Sequence, residues 1–95
     1  MQDDAYERDD AKAIRNRLAH DVSFEMAREV FKDAFAIEWS DHGQGGGEAR
    51  FVTVGMVENR LLFVSYTLRG ERIRIISARP AEPFERRRYR NENQT

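Results

Sequence analysis

The chain contains no cysteine, which excludes disulfide staples, thiolate metal sites and a thiol nucleophile, and fits a reducing compartment. It has two histidines, His20 and His42, too few for an all-histidine centre and without a convincing carboxylate spacing around them, so no metal and no cofactor is expected. No apolar run approaches the roughly 20 residues that cross a bilayer. The first ten residues, MQDDAYERDD, are acidic where an export signal would be basic and then apolar. The expectation is a cytoplasmic protein with no membrane partner. Proline is scarce and late, at Pro80 and Pro83, and glycine gathers in one turn-forming stretch, GQGGGE.

What is present fits one small domain over residues 1–95, with tails expected to be disordered at 1–5 and 91–95. The near-zero net charge hides an asymmetry. Residues 1–48 carry twelve acids against six bases, whereas residues 49–95 carry five acids against ten arginines. Such a chain can set a basic face beside an acidic one and attract polyanions locally. The plainer alternative is that the arginines are solvated or paired with the acids.

Asp9 or Asp10 can cap a first helix whose Ala11, Ile14 and Leu18 form an apolar stripe. Ser23 can cap a second through FEMAREVFKDAF, with Phe24, Ala27, Val30 and Phe31 at helical spacing. The period then changes. RFVTVGMV (50–57), RLLFVSYTL (60–68) and RIRIISA (72–78) read as three antiparallel strands with short turns, and FAIEW (35–39) and AYER (5–8) as further edge strands. In the middle strand Leu62, Val64, Tyr66 and Leu68 should meet the helices, while Phe63, Ser65, Thr67 and Arg69 face the partly wet side. Pro83 suits the first turn of a terminal helix, PFERRRYR. The fold class is α+β: two N-terminal helices packed on an antiparallel sheet, closed by a C-terminal helix.

The order D-D-A-K (9–12), Asn16, His20, V-S-F-E-M-A (22–27), V-F-K-D (30–33), E-A-R-F-V-T-V-G (48–55), R-L-L-F-V-S-Y-T (60–67) and I-R-I-I-S-A-R-P-A (73–81), then Glu85, Arg86 and Tyr89, resembles the BrnT family of toxins over residues 6 to 90. The most specific piece is RIISARPA followed by an Arg-rich helix. The resemblance implies a RelE-like, metal-independent ribonuclease, the toxin of a type II toxin–antitoxin pair. It also implies a ribbon-helix-helix antitoxin as partner, with operator DNA contacted only through the toxin–antitoxin complex. Two departures stand out. Ala19-His20-Asp21 replaces the family's usual Lys-His-Gly, and Arg8 replaces a tryptophan. If the missing lysine contacts phosphate in relatives, activity here should be weakened.

RNA cleavage without a metal needs a base for the 2′-OH proton, an acid for the leaving 5′-oxygen, and fixed cations beside the phosphorane. His20, in a short inter-helix loop, suits either proton role, or it merely caps the first helix. Arg69 and Arg79 end strands, and Arg72 and Arg74 alternate with Ile73 and Ile75, so guanidinium groups can converge on one side of the sheet. The candidate catalytic set is His20, Arg79, Arg69 and Arg74, and the candidate RNA-binding set is Arg50, Arg72, Arg86 and Arg87. The alternative for an interior arginine is an internal carboxylate partner such as Glu71 or Glu48. Tyr66 should be core, and Tyr89 can stack on a base or pack the last helix down. A non-enzymatic module using the same basic face for RNA or for an acidic protein is the competing function.

Overall fold

The structure, a computed structural model, describes residues 6–7, 9–41 and 49–94, so His42 and Glu48 lie outside the described residues. In chain order the elements are β1 (Tyr6–Glu7), α1 (Asp10–His20), α2 (Phe24–Ala27), a 3-10 turn (Arg28–Lys32), β2 (Ile37–Asp41), β3 (Arg50–Val57), β4 (Arg60–Arg69), β5 (Arg72–Pro80) and α3 (Pro83–Glu92). The alternating apolar residues of β3, β4 and β5 pair antiparallel through two tight turns, each using a positive φ, at Glu58 in one and Gly70 in the other. The sheet order is β1-β5-β4-β3-β2. Both extra edge strands exist, but β1 runs parallel to β5, so the sheet is mixed rather than wholly antiparallel.

Asp9 caps α1 by accepting from the N–H groups of Ala11 and Lys12. The bond from Lys12 chiefly holds its carboxyl below the ordinary range. The helix does not bury the stripe its sequence suggests, because Ile14 and Leu18 are 62% and 82% exposed. It turns Asn16 inward instead. The Asn16 amide donates to the carbonyls of Val22 (2.9 Å) and Ala78 (2.8 Å) and accepts from the Ala78 N–H (3.0 Å). Beyond the two residues paired with β1, the edge of β5 would otherwise carry unmet backbone groups, and an unmet buried group costs about 1–3 kcal/mol. The polar demand of that edge, more than the amphipathic pattern, sets the rotation of α1.

Ser23 caps α2 through the Met26 N–H, but the long helix expected over 24–35 lasts one turn before tightening into 3-10 geometry. The buried residues explain why: Phe24, Ala27 and Val30 recur every three positions, the period of a 3-10 helix. The turn also presses on β3, where a Cβ at Gly55 would sit 3.0 Å from the Val30 carbonyl oxygen. These residues and Val22 pack on Val57, Leu62, Val64, Ile75 and Ala78. On the other face Ile37, Val52, Val54, Leu61 and Ala81 form a second cluster, with Tyr89 of α3 packed against it. Tyr66 is core, as expected, whereas Leu68 at the sheet's end is half exposed.

Pro83 occupies the first turn of α3, and the helix continues to Glu92. Beyond it the Asn93 amide donates to the Phe35 carbonyl at 3.0 Å. One carboxylate ties this region together. Asp33 accepts from the N–H groups of Met56 (2.8 Å) and Phe35 (2.9 Å) and from the Tyr89 hydroxyl (2.8 Å). Burial pushes the Asp33 carboxyl up, but these three bonds outweigh it and the net shift is downward. Burial and the adjacent Asp33 push Tyr89 from 10.0 up to about 12.

Both shifts link folding to pH. The Asp33 contribution is present above its ordinary value of 3.8 and is lost as pH falls through its lower folded value. The Tyr89 contribution is full below 10 and disappears as pH rises through about 12. Urea unfolding against pH should therefore show an alkaline limb between those values, which Tyr89→Phe flattens, and an acid limb, which Asp33→Asn flattens.

Candidate nucleic-acid interface

Arg72, Arg74 and Arg79 cannot share a face of a regular strand, because 74 and 79 differ by an odd number and side chains alternate. A β-bulge resolves this. The register of β5 on β4 steps from Ser65↔Ser77 to Tyr66↔Ile75, leaving Ile76 as the extra residue. All three arginines then point to the side that carries α3. The slip is visible in RIRIISAR, where polar and apolar residues alternate except at the doublet Ile75-Ile76.

The strand registers lay this face out in rungs. Ile37, Val54, Phe63 and Arg79 form the first, beside α3; Trp39, Val52, Ser65 and Ser77 form the second; Asp41, Arg50, Thr67, Arg74 and Glu7 form the third; Arg69 and Arg72 face each other beyond them. From α3 outward the surface passes from aromatic, through hydroxyl, to arginine. Directly opposed arginines are unfavourable unless an anion lies between or beside them.

The arginines are held with unequal strength. Arg79 makes a two-pronged contact with Glu85, Nη1 and Nη2 each 2.8 Å from a carboxylate oxygen, and the Glu85 side chain is only 1% exposed. The bonds to Glu85 raise the Arg79 pKa against the opposing effect of burial. Arg74 instead lies 3.6 Å from Glu7 and 4.0 Å from Asp9, and Arg72 lies 3.9 Å from Glu7. Those are loose ion pairs on a half-open surface, the kind worth at most about 1 kcal/mol. An incoming phosphate can replace Glu7 or Asp9 far more readily than Glu85.

The internal partners are thus Glu85, Glu7 and Asp9, in place of the Glu71 suggested by the sequence; Glu48 lies outside the described residues. The sequence model of the family described as the ribonuclease toxin, BrnT, of type II toxin–antitoxin systems matches residues 9–85, most of the chain. The chain belongs to the BrnT toxin family. No curated protein matches it. Membership brings an RNA substrate and an antitoxin partner as properties of the family.

The remaining candidates of this BrnT chain are spread around the arginine face. Arg50 and Arg69 are exposed at strand ends, Arg86 spends its Nε on the Ala81 carbonyl (3.1 Å), and Arg87 is exposed on α3. His20 and Ala19 are exposed at the end of α1. Because Asp9 lies near Arg74 and Asn16 bonds Ala78, α1 travels alongside β5, and beyond its end the Asp21 carbonyl accepts from Arg60 at 3.2 Å. Asp21 adopts the left-handed conformation at the end of α1 (φ 54°) that glycine takes most easily. Its carboxylate is engaged by Arg17 at 3.1 Å. Tyr89 takes the packing role rather than a free stacking position.

Arg79→Ala would strand the buried Glu85 carboxylate. The expected loss is about 3–5 kcal/mol. Arg79→Met with Glu85→Met should recover most of it, as measured by urea denaturation.

Proposed function

We propose that this chain is a metal-independent endoribonuclease of RelE-like type that inhibits translation and growth, and that a ribbon-helix-helix antitoxin neutralises it. The observation that carries the reading is the bulge at Ile76, which gathers Arg72, Arg74 and Arg79 on one open face beside the hydroxyls of Ser65 and Ser77. Arg74 and Arg72, loosely paired, take the scissile and flanking phosphates, with Arg50 and Arg69 extending the track. Arg79, locked by Glu85, offers a fixed guanidinium that needs no reorganisation as charge develops. His20 takes a proton role. Arg86 and Arg87 steer the polyanion. Fixed cations do the work a metal would otherwise do.

Ala19 weakens the activity, because it removes a cation beside His20. It also favours a second reading, a module that binds RNA without cutting it. The antitoxin covers part of the arginine face, so its binding should weaken with salt, and the complex reaches operator DNA through the antitoxin alone.

The test is cleavage of RNA in EDTA by the chain as it stands, Ala19→Lys, Ala19→Lys with Arg74→Gln, and Ala19→Lys with His20→Ala. Ala19→Lys should raise the rate by about 10² to 10³, and each second substitution should take most of that away. Four inert proteins that are folded and bind RNA would favour the binding module.

A further inference from the structure

We propose that Trp39, backed by Phe63, is a stacking platform for one unpaired base of a single-stranded RNA. The proposal rests on the reading of the arginine face as an RNA site and adds a base-binding position to it.

The geometry is that of a short aromatic wall between two guanidinium groups. The Trp39 and Phe63 rings meet edge to face, with centroids 6.2 Å apart and planes at 63°. Arg79 lies over Phe63 at 4.0 Å, and Arg88 lies over Trp39 at 4.2 Å. Arg79 is anchored by buried Glu85, so the Phe63 end is closed. The Trp39 end is different. Arg88 is held there by Glu92 at 2.7 Å, with both side chains about half exposed. An exposed ion pair and an exposed cation–π contact each shift an equilibrium by about fivefold or less. A flat, weakly hydrated guanidinium already rests where a base would stack, and it is held by contacts a base can displace or share.

The neighbourhood fits a nucleotide more closely than an apolar peptide. Trp39 shares its rung with Ser65 and Ser77, and the next rung, roughly 7 Å along the strands, carries Arg50, Thr67 and Arg74. The aromatic ring and the hydroxyls thus share one rung, and the cations that would meet a phosphate lie on the next, between Asp41 and Glu7 at its ends. Every base has a π-face, so this contact gives affinity for unpaired RNA with little sequence preference, and it cannot form with a base still stacked in a duplex.

Trp39 is the chain's single tryptophan, so its fluorescence reports the platform directly. The experiment titrates the full chain with a dye-labelled single-stranded RNA hexamer and with an abasic ribose-phosphate hexamer, reading tryptophan emission and dye anisotropy together. Base stacking should quench Trp39 saturably with the RNA and leave it unquenched with the abasic oligomer, although both bind. Trp39→Leu, checked for folding by circular dichroism, should weaken the RNA by roughly 5- to 150-fold and leave the abasic oligomer's affinity unchanged. RNA that binds without quenching, and equally well to Trp39→Leu, overturns the platform while the arginine site stands. Failure of both oligomers to bind at low salt overturns the arginine site and the platform together. Quenching by the antitoxin but not by RNA assigns the wall to the protein partner and overturns the proposal.

Discussion

The contact between Arg79 and Glu85 is the constraint on which the functional half of the molecule depends. A carboxylate sealed from water needs several donors, and Glu85 has three: two from Arg79 and one from the Glu82 backbone at 2.8 Å. The same oxygen that caps α3 reciprocally with Glu82 also fastens that helix to the last strand. Remove the cation and the cap loses its purpose as well. A structural role and the proposed chemical one therefore fall on one guanidinium. A loss of activity at Arg79 says little unless folding is measured beside it, and Arg74 is the cleaner probe of phosphate contact.

The bulge at Ile76 acts on the opposite edge of the problem. It keeps Ile73, Ile75 and Ala78 on the face packed by α2 while turning Arg72, Arg74 and Arg79 together on the other. One extra residue thus reconciles a continuous core with a continuous basic surface. A regular strand of the same composition would have to bury an arginine or expose an isoleucine at one end.

Much of this was legible in the sequence where local patterns agreed with the tertiary demand. Alternation placed the three long strands, Asp9 and Ser23 announced their caps, Pro83 began α3, and RIISARPA carried the resemblance that the family match bears out. The failures share a cause, since each depends on a partner distant in the chain. The exposed Ile14 and Leu18 follow from Asn16 reaching 62 residues ahead to Ala78. The second helix is short because Phe24, Ala27 and Val30 bury against the sheet at a spacing of three, and the turn they form passes close to Gly55 of β3. Glu7, the carboxylate that Arg72 and Arg74 share, comes from β1, a two-residue strand whose parallel pairing no local pattern predicts. The rings of Trp39 and Phe63 looked like ordinary strand residues until the sheet order set them together.

Asn16 has one more effect, on how this protein meets other chains. A bare outer strand offers its backbone as a template on which a neighbouring molecule can lay another strand. Along β5 that invitation is withdrawn twice, first by the two residues of β1 and then by a side-chain amide that imitates a strand residue at Ala78. Sealing by side chain leaves no new edge behind it, so over Ala78 the sheet offers a neighbour no template.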